Sequence, residues 1–408
     1  RTWSGFDEKA NRVANMLLSR GVKKGQKVAI LLMNCLEWLP IYFGILKTGA
    51  IAVPLNFRYS SEEIEYCVNL ADVDILFFGP EFIGRVENTV LALGEDCLLF
   101  FVGTNCPSFA ESYNESVSNC SSVAPKILIE DSDEAAIYFS SGTTGFPKAI
   151  LHNHTALLQS ARMEAIHHET THDDVFLCIP PLYHTGAKMH WFGSLYTGSR
   201  AVLLKGTSPK TILDVISLEQ CTIVWLLVPW CQDILTALDS GELKLEGRNI
   251  SQLRLMHIGA QPVPPSLIKH WLDYFPKHKY DTNYGLSEST GPGCVHLGLE
   301  NINKVGAIGV AGYGWIKTDT GCNGVRLFRH LHDGKDEYHP RQNIKPGRNK
   351  REHRKKQLYE HYVKHRHKAH GAVHPAPAGK NIACVPAAAH AKGNRRADRQ
   401  HGEDKVPL

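Results

Sequence analysis

A glycine-rich segment in the first half of the chain restricts its possible folds more than any other feature. The apolar run 135–139 leads directly into six residues that are all serine, threonine or glycine, and Pro147 and Lys148 close the segment. The six are Ser140, Ser141, Gly142, Thr143, Thr144 and Gly145. Glycines let a backbone approach a ligand closely and turn its N–H groups inward. The hydroxyls and the lysine add donors and a positive charge, so the pattern is that of a polyphosphate cradle.

This segment is not a Walker A loop. That motif needs a glycine before the lysine and a serine or threonine after it, whereas Lys148 lies between Pro147 and Ala149. A plain turn of the same composition remains the alternative interpretation, because short motifs also occur by chance.

Apolar runs alternate with helical patterns along residues 1–319. Ser60 and Glu63 have the spacing of a capping box, and Ser208 followed by Pro209 is typical of a helix start. We predict a helix over 37–48 and strands over 28–32, 51–55, 73–78, 97–102, 135–139, 174–179, 201–204, 222–228 and 252–258. Continuous apolar strands separated by helices predict parallel sheets covered on both faces, so the expected fold class is α/β.

The last 89 residues differ from the rest. From Thr320 to Leu408 the chain has 20 Lys+Arg against 8 Asp+Glu, whereas residues 1–319 have 25 against 33. The same segment holds 11 of the 22 histidines and few large apolar residues. It cannot bury enough apolar surface to offset its chain entropy. We therefore expect two regions, a folded one over 1–319 and a basic tail over 320–408 that is disordered or frame-shifted.

Cysteines and hydropathy indicate the compartment. The 11 cysteines are an odd number without any CxxC pair, which favours neither a disulfide framework nor a cysteine zinc module. The most apolar stretch, 28–36, is far shorter than the roughly 20 residues of a membrane span. We expect a cytoplasmic protein without a membrane span.

Because Arg1 is the first residue and no signal-peptide pattern follows, we also expect the chain to begin inside a longer reading frame.

The segment 140–148 resembles the signature phosphate loop of the adenylate-forming (AMP-binding) superfamily. That superfamily contains acyl-CoA synthetases, adenylation domains of peptide synthetases, and luciferases. The chain departs from the usual loop only at Ala149, where the family has glycine. Further resemblances occur in the family's order at 2–7, 44–54, 180–186, 257–262, 283–288 and 304–309. The resemblance covers about 1–319, lacks the family's first several dozen residues, and implies the large N-terminal domain of these enzymes.

The resemblance implies roles for individual residues. His184 borders the carboxylate site, Ser287 contacts the α-phosphate, and Glu288 holds magnesium. Lys148 and the loop hold the β- and γ-phosphates. The segments that contact the nucleotide contain Gly259, Ala260, Gln261, Pro262, Asn283, Tyr284 and Gly285.

The implied reaction is the ATP-dependent activation of a carboxylic acid. An acyl-adenylate forms with Mg²⁺ and passes its acyl group to the thiol of coenzyme A. We expect a fatty or aryl acid, because the expected pocket walls at 183–194, 228–231 and 291–296 are apolar and aromatic without an evident buried acid. A peptide-synthetase-type adenylation domain is the alternative; amino-acid-dependent pyrophosphate exchange would distinguish it.

The resemblance stops after Asp319. The family's Thr-Gly-Asp segment, its basic hinge and its C-terminal catalytic lysine have no counterpart, since 319–321 has the wrong order. We interpret the tail as a shifted reading frame, which predicts an impaired ligase. The other alternative is an inactive nucleotide-binding domain whose tail binds polyanions. Against it, Tyr338, Tyr359 and Tyr362 are too few for a base-stacking surface, so we do not expect nucleic acid as a partner.

Overall fold

Two seven-stranded sheets form the framework of the protein. The computed structural model describes residues 2–89, 97–141, 147–304, 309–318 and 327–330. The first sheet has the order β5-β4-β3-β1-β2-β6-β7. Its strands are β1 (Lys27–Leu31), β2 (Ile51–Pro54), β3 (Ile75–Phe78), β4 (Leu98–Phe101), β5 (Glu111–Ser112), β6 (Glu134–Ser141) and β7 (Pro147–Asn153). All neighbouring pairs are parallel except β6 and β7.

The second sheet has the order β14-β13-β12-β11-β10-β8-β9. Its strands are β8 (Val175–Cys178), β9 (Arg200–Leu203), β10 (Ile223–Leu227), β11 (Leu255–Gly259), β12 (Lys279–Leu286), β13 (Gly291–Leu297) and β14 (Val310–Ala311). The pairs from β9 to β12 are parallel, whereas β12–β13 and β13–β14 are antiparallel. The α/β class and the predicted strands are confirmed, and the antiparallel pairs at two sheet edges are additions that the apolar runs did not indicate.

Helices cover both faces of each sheet. They are α1 (Trp3–Ser19), α2 (Trp38–Lys47), α3 (Ser61–Ala71), α4 (Ile83–Glu87), α5 (Tyr113–Ser118), α6 (His154–His167), α7 (Thr185–Thr197), α8 (Pro209–Leu218), α9 (Val228–Asp239) and α10 (Pro265–Tyr274). Three short 3₁₀ turns are Pro80–Phe82, Ser287–Ser289 and Leu299–Asn301.

Successive side chains of a strand point to opposite faces of its sheet, and the described residues form three apolar cores on these faces. In β3, Ile75 and Phe77 point into one core while Leu76 and Phe78 point into another, as the two-residue period of a strand requires. The central core also contains Tyr42 of α2, Trp191 of α7 and Trp225 of β10, so it joins both sheets through one helical layer. The outer cores pack α3 and α4 on the first sheet and α8 to α10 on the second. The order of layers is therefore helix, sheet, helix, sheet, helix.

The two predicted helix starts are confirmed at atomic detail. The Ser60 side chain accepts a hydrogen bond from the Glu63 N–H, and the Glu63 carboxylate accepts one from the Ser60 N–H. These two bonds complete the capping box of α3. The Ser208 side chain caps α8 by accepting a hydrogen bond from the Thr211 N–H, with Pro209 at the first helical position.

Little of the predicted tail belongs to the described residues. Leu327–His330 forms a strand that pairs with Trp315–Thr318 in an antiparallel ladder. All other residues of 320–408 lie outside the described residues, so the disordered or frame-shifted tail stays a prediction. Among the described residues, no helix is both long and apolar enough to span a bilayer.

Candidate active site

A large cleft opens where the carboxyl ends of the parallel strands meet. Its volume is about 1210 Å³. The end of β6, the residues after β11 and the end of β12 all contribute to its walls. Since parallel strands present their carboxyl ends at one edge, segments distant in sequence converge there. The residues predicted to bind the nucleotide that line it are Ser140, Ala260, Gln261, Pro262, Asn283, Tyr284, Gly285, Ser287 and Glu288.

One wall of the cleft consists of the segments that follow β11 and end β12. Tyr284 is 44% exposed, so its ring is available to a planar ligand. Asn283 Nδ2 is buried without a hydrogen-bond partner in the described structure, although the residue lines the cleft. An unpaired buried donor costs free energy, so this amide is suited to a ligand acceptor. Gly259 lies immediately before this wall and does not itself line the cleft.

The backbone is constrained at two positions of this wall. Strands β12 and β13 shift register between Tyr284 and Gly285. A Cβ at Gly285 would lie 2.3 Å from the Gly291 oxygen, so the close strand approach requires glycine. Ala260 has a φ of 67°, in the left-handed region that costs an alanine free energy.

A residue that the sequence analysis did not identify holds the Ser287–Glu288 segment by a hydrogen bond. His152 Nε2 of β7 donates a hydrogen bond of 2.8 Å to the Ser287 carbonyl. Desolvation lowers the pKa of His152 to about 3, so the ring is neutral. Ser287 and Glu288 are half-buried on the cleft wall, and the neutral imidazole holds their backbone in place.

His184 lines the cleft and also caps helix α7. Its Nδ1 accepts a hydrogen bond of 3.1 Å from the Gly186 N–H, so the ring proton is on Nε2. The ring is open to the cleft but surrounded by protein on its other sides, and desolvation lowers its pKa below the ordinary value. The interpretation of His184 as a turn cap is therefore confirmed, and its role beside the substrate carboxylate stays a prediction.

One glycine-dependent contact shapes the cleft floor. A Cβ at Gly186 would lie 2.1 Å from the Trp225 ring, so only glycine lets that indole lie against the start of α7. Trp225 lines the cleft together with Met189. Met189 belongs to the predicted wall 183–194, whereas Trp225 was not recognised from the sequence, because it lies in an apolar run that indicates only burial.

The phosphate loop lies partly outside the described residues. Gly142, Thr143, Thr144 and Gly145 are among the residues that the structure does not describe. Ser140 and Pro147 line the cleft, and Ser141 pairs with Pro147 in the β6–β7 ladder. Lys148 pairs with Ser140 and is exposed, but it is not among the cleft-lining residues.

Part of the predicted pocket wall belongs to the protein interior instead. Val228 and Cys231 are buried in the outer core of the second sheet. Trp191 and Phe192, which belong to the predicted wall 183–194, pack in the central core. The walls predicted at 183–194 and 291–296 do reach the cleft, through residues that include Tyr183, Met189 and His296.

The cleft is compatible with a magnesium ion that arrives with phosphates. Mg²⁺ keeps several waters and takes one or two protein carboxylates together with substrate phosphate oxygens. Glu288 offers one half-buried carboxylate on the cleft wall beside Ser287. The residues present therefore fit the ion, and the role of Glu288 as its ligand stays a prediction.

A nucleotide-sized cleft at the carboxyl ends of parallel-rich sheets defines an α/β protein of the nucleotide-binding class. The chain belongs to the AMP-binding enzyme family, whose pattern matches residues 1–315. It is 29% identical to the acyl-CoA ligase sidI of Aspergillus fumigatus over 314 residues, which are 72% of this chain and 52% of that ligase. It is 27% identical to the medium-chain fatty-acid–CoA ligase of Escherichia coli over 304 residues, with the same coverages of 72% and 52%. The chain thus spans about half the length of these curated relatives.

Solved structures share the fold. The N-terminal domain of FACL13 from Mycobacterium tuberculosis, solved with an inhibitor, gives a TM-score of 0.71 at 23% identity, covering 80% of this chain and 79% of that one. The anthranilate CoA ligase AuaEII, solved with anthranoyl-AMP, gives 0.73 at 23% identity, covering 80% and 64%. The predicted N-terminal-domain architecture of adenylate-forming enzymes is confirmed.

Proposed function

We propose that this protein activates a carboxylic acid with ATP and transfers the acyl group to coenzyme A. The observation that carries the proposal is that segments from both sheets, separated by more than a hundred residues, line one cleft of about 1210 Å³. Those segments hold the motif residues of the AMP-binding family, to which the chain belongs. The names of the relatives, which are acyl-CoA ligases, support the same reaction class.

The reaction brings a carboxylate oxygen to the α-phosphorus of ATP. Two anions repel each other, so the site must supply positive charge and hold an in-line geometry. We assign Asn283 and Tyr284 to the adenine, and the Ser287 hydroxyl to an α-phosphate oxygen. The loop from Ser140 to Lys148 holds the departing pyrophosphate, and His184 borders the acid.

Glu288 holds the magnesium ion, which neutralises phosphate charge when it is bound. His152 acts through the backbone, because its hydrogen bond to the Ser287 carbonyl fixes the segment that carries both polar side chains. Desolvation lowers the pKa of His184 below its ordinary value, which favours the neutral ring beside the acid. Coenzyme A then attacks the acyl carbonyl and releases AMP.

A fatty or aryl acid fits the cleft better than an amino acid. Tyr183, Met189 and Trp225 give the wall behind His184 an apolar and aromatic character. The cleft-lining acids among the described residues are Glu63 and Glu288, and Glu63 already closes the capping box of α3. Neither is placed as a dedicated partner for a substrate ammonium group. We also propose a cytoplasmic location, where both ATP and coenzyme A are available.

The experiment measures ligand binding, which does not require turnover. Non-hydrolysable acyl-adenylates with octanoyl, benzoyl and phenylalanyl groups are titrated into the full chain, and affinity is followed by calorimetry. We expect the octanoyl or benzoyl analogue to bind at least about tenfold more tightly than the phenylalanyl analogue, a difference of about 1.4 kcal/mol. Preference for the phenylalanyl analogue would favour the peptide-synthetase alternative, and binding of none would refute the assignment.

A matched pair of variants tests the role of Glu288. Glu288→Gln removes the carboxylate and is expected to abolish the magnesium dependence of ATP binding. Glu63→Gln also changes a cleft-lining acid but keeps its capping role, because glutamine serves equally in a capping box. Equal effects of the two substitutions would contradict the assignment of the metal to Glu288.

A further inference from the structure

Four metal-ligating side chains meet in the interior behind the cleft. Glu164 lies in the last turn of α6, and His168 follows one turn later as its C-cap. His190 comes from α7 and His257 from β11. Their side chains are between 0% and 4% exposed, so the group is sealed from solvent.

The three distances from Glu164 within this group are close to the edges of a coordination tetrahedron. Glu164 Oε1 lies 3.4 Å from His168 Nδ1, 3.3 Å from His190 Nε2 and 3.2 Å from His257 Nδ1. Four ligands held at about 2.0–2.1 Å from Zn²⁺ are about 3.3 Å apart. All four ligand atoms lie within 4.8 Å of one another. His190 Nε2 and His257 Nδ1 are 2.6 Å apart, so a central ion requires them to move apart by less than 1 Å.

The carboxylate at the centre of the group lacks good partners within the protein. Both oxygens of Glu164 are buried without a hydrogen bond of normal geometry among the described residues. A buried carboxylate without hydrogen bonds is costly unless a cation is adjacent.

The surroundings also have the form expected around a metal ligand. His168 turns Nδ1 toward Glu164, while its Nε2 lies 2.5 Å from Asp281 Oδ2 on β12. A carboxylate on the far nitrogen fixes the tautomer and orientation of a ligating histidine.

We propose that Glu164, His168, His190 and His257 form a closed binding site for a zinc-class divalent cation, with Asp281 orienting His168. Nitrogen and carboxylate donors in a compact set suit Zn²⁺ better than Mg²⁺ or Ca²⁺, which prefer oxygen donors. Four protein ligands leave no open position, so the ion is structural. The site does not depend on the proposed acid activation, because none of its ligands lines the cleft.

The ion would tie the second sheet to the central helical layer. Trp225 stacks on His257 with ring centroids 5.7 Å apart and also lines the cleft. His257 lies two residues before Gly259 and the nucleotide-binding wall. The metal site therefore fixes the back of the cleft without contacting its contents.

The first experiment uses the full chain, purified without an affinity histidine tag and dialysed against a weak chelator. We expect elemental analysis to find about one zinc per chain that survives dialysis. Removal with a strong chelator lowers the melting temperature, and added Zn²⁺ restores it. Replacement with Co²⁺ gives the intense visible absorption of a tetrahedral site. Absence of stoichiometric metal, together with no thermal shift on adding Zn²⁺, would overturn the proposal.

Variants locate the ion, because the tail is also rich in histidine. Glu164→Gln and His257→Asn are expected to lose the tightly bound zinc, and Asp281→Asn to weaken it about 10- to 100-fold. The matched control replaces His365, His367 and His370 of the tail by asparagine and keeps the ion. Zinc that leaves with the tail histidines and persists in Glu164→Gln would contradict the site. The wild-type Co²⁺ spectrum decides the matter if a cluster variant fails to fold.

Discussion

Lys188 is a buried lysine of helix α7, and its titration makes the stability of the protein depend on pH. It is 3% exposed, lies 2.6 Å from the Ser160 hydroxyl and faces the Phe192 ring at 5.6 Å. Desolvation lowers its pKa from 10.5 to about 7. The folded state therefore binds fewer protons than the unfolded state between about pH 7 and pH 10.

The difference in bound protons decides whether Lys188 makes the protein more or less stable as the pH rises. Because the unfolded lysine remains protonated in that window, the contribution of Lys188 to the free energy of unfolding rises with pH, by up to about 1.4 kcal/mol per unit. Lys188→Met removes this contribution. We expect denaturant unfolding to show that the stability advantage of Lys188→Met over wild type shrinks from pH 7 to pH 9. Parallel curves would mean that Lys188 stays charged when folded.

Gly186 is a residue whose missing side chain shapes the site. We expect Gly186→Ala to displace the Trp225 ring, because the new Cβ would lie 2.1 Å from it. The acyl-adenylate analogue should bind at least about tenfold more weakly, about 1.4 kcal/mol. Gly84→Ala is the matched control, since nothing lies within 4 Å of its Cβ position and alanine favours a helix. Unchanged affinity in Gly186→Ala would show that Trp225 does not shape the ligand pocket.

At the scale of the element, the start of α3 offers a direct test of the capping interpretation. Ser60→Ala removes the acceptor for the Glu63 N–H and is expected to lower the free energy of unfolding by about 1 kcal/mol. Glu63→Gln, which preserves both bonds, should change it little. Chemical denaturation of both variants checks the prediction, and an equal loss in the two would contradict it.

The elements also show what the sequence can predict and what it cannot. The strand 75–78 was predictable because all four of its residues are apolar and both faces of the sheet are covered. The β12–β13 pairing was not, since Tyr284 and Leu286 are exposed and no two-residue alternation marks them. The motif residues of the cleft were recognisable because each lies within a short contiguous pattern.

The buried cluster of Glu164, His168, His190 and His257, in contrast to the motif residues of the cleft, could not be predicted from the sequence. Its members come from three elements, and only the fold brings His257 to within 3.2 Å of Glu164. The four-residue spacing of Glu164 and His168 on one helical face was the single available signal. Such a pair is common on exposed helices, so the spacing alone could not indicate a site.

At the scale of the whole molecule, the chain spans about half the length of the curated ligases that it matches. The relatives extend well beyond the matched region, since sidI is covered only to 52%. We expect the full chain to bind the acyl-adenylate analogue yet to release AMP at least about 100-fold more slowly than the Escherichia coli enzyme, about 2.7 kcal/mol in activation free energy. Coupled AMP release with octanoate, ATP and coenzyme A measures this. An equal rate would refute the interpretation of an impaired ligase with a frame-shifted tail.

Helix α7 belongs both to the wall of the cleft and to the helical layer between the two sheets. Its first turn faces the cleft, while Trp191 packs against Trp3 of α1 at 5.9 Å in the layer between the sheets. For an engineer who wants to change the acid, this helix is therefore the least suitable place for substitutions, because a wider pocket there loosens the interior of the protein. In the loop 56–59, Tyr59 is buried in a core and Phe57 packs against that core, whereas Asn56 and Arg58 border the same cleft without belonging to it. New acid preferences are better sought there, where selectivity and folding can vary independently.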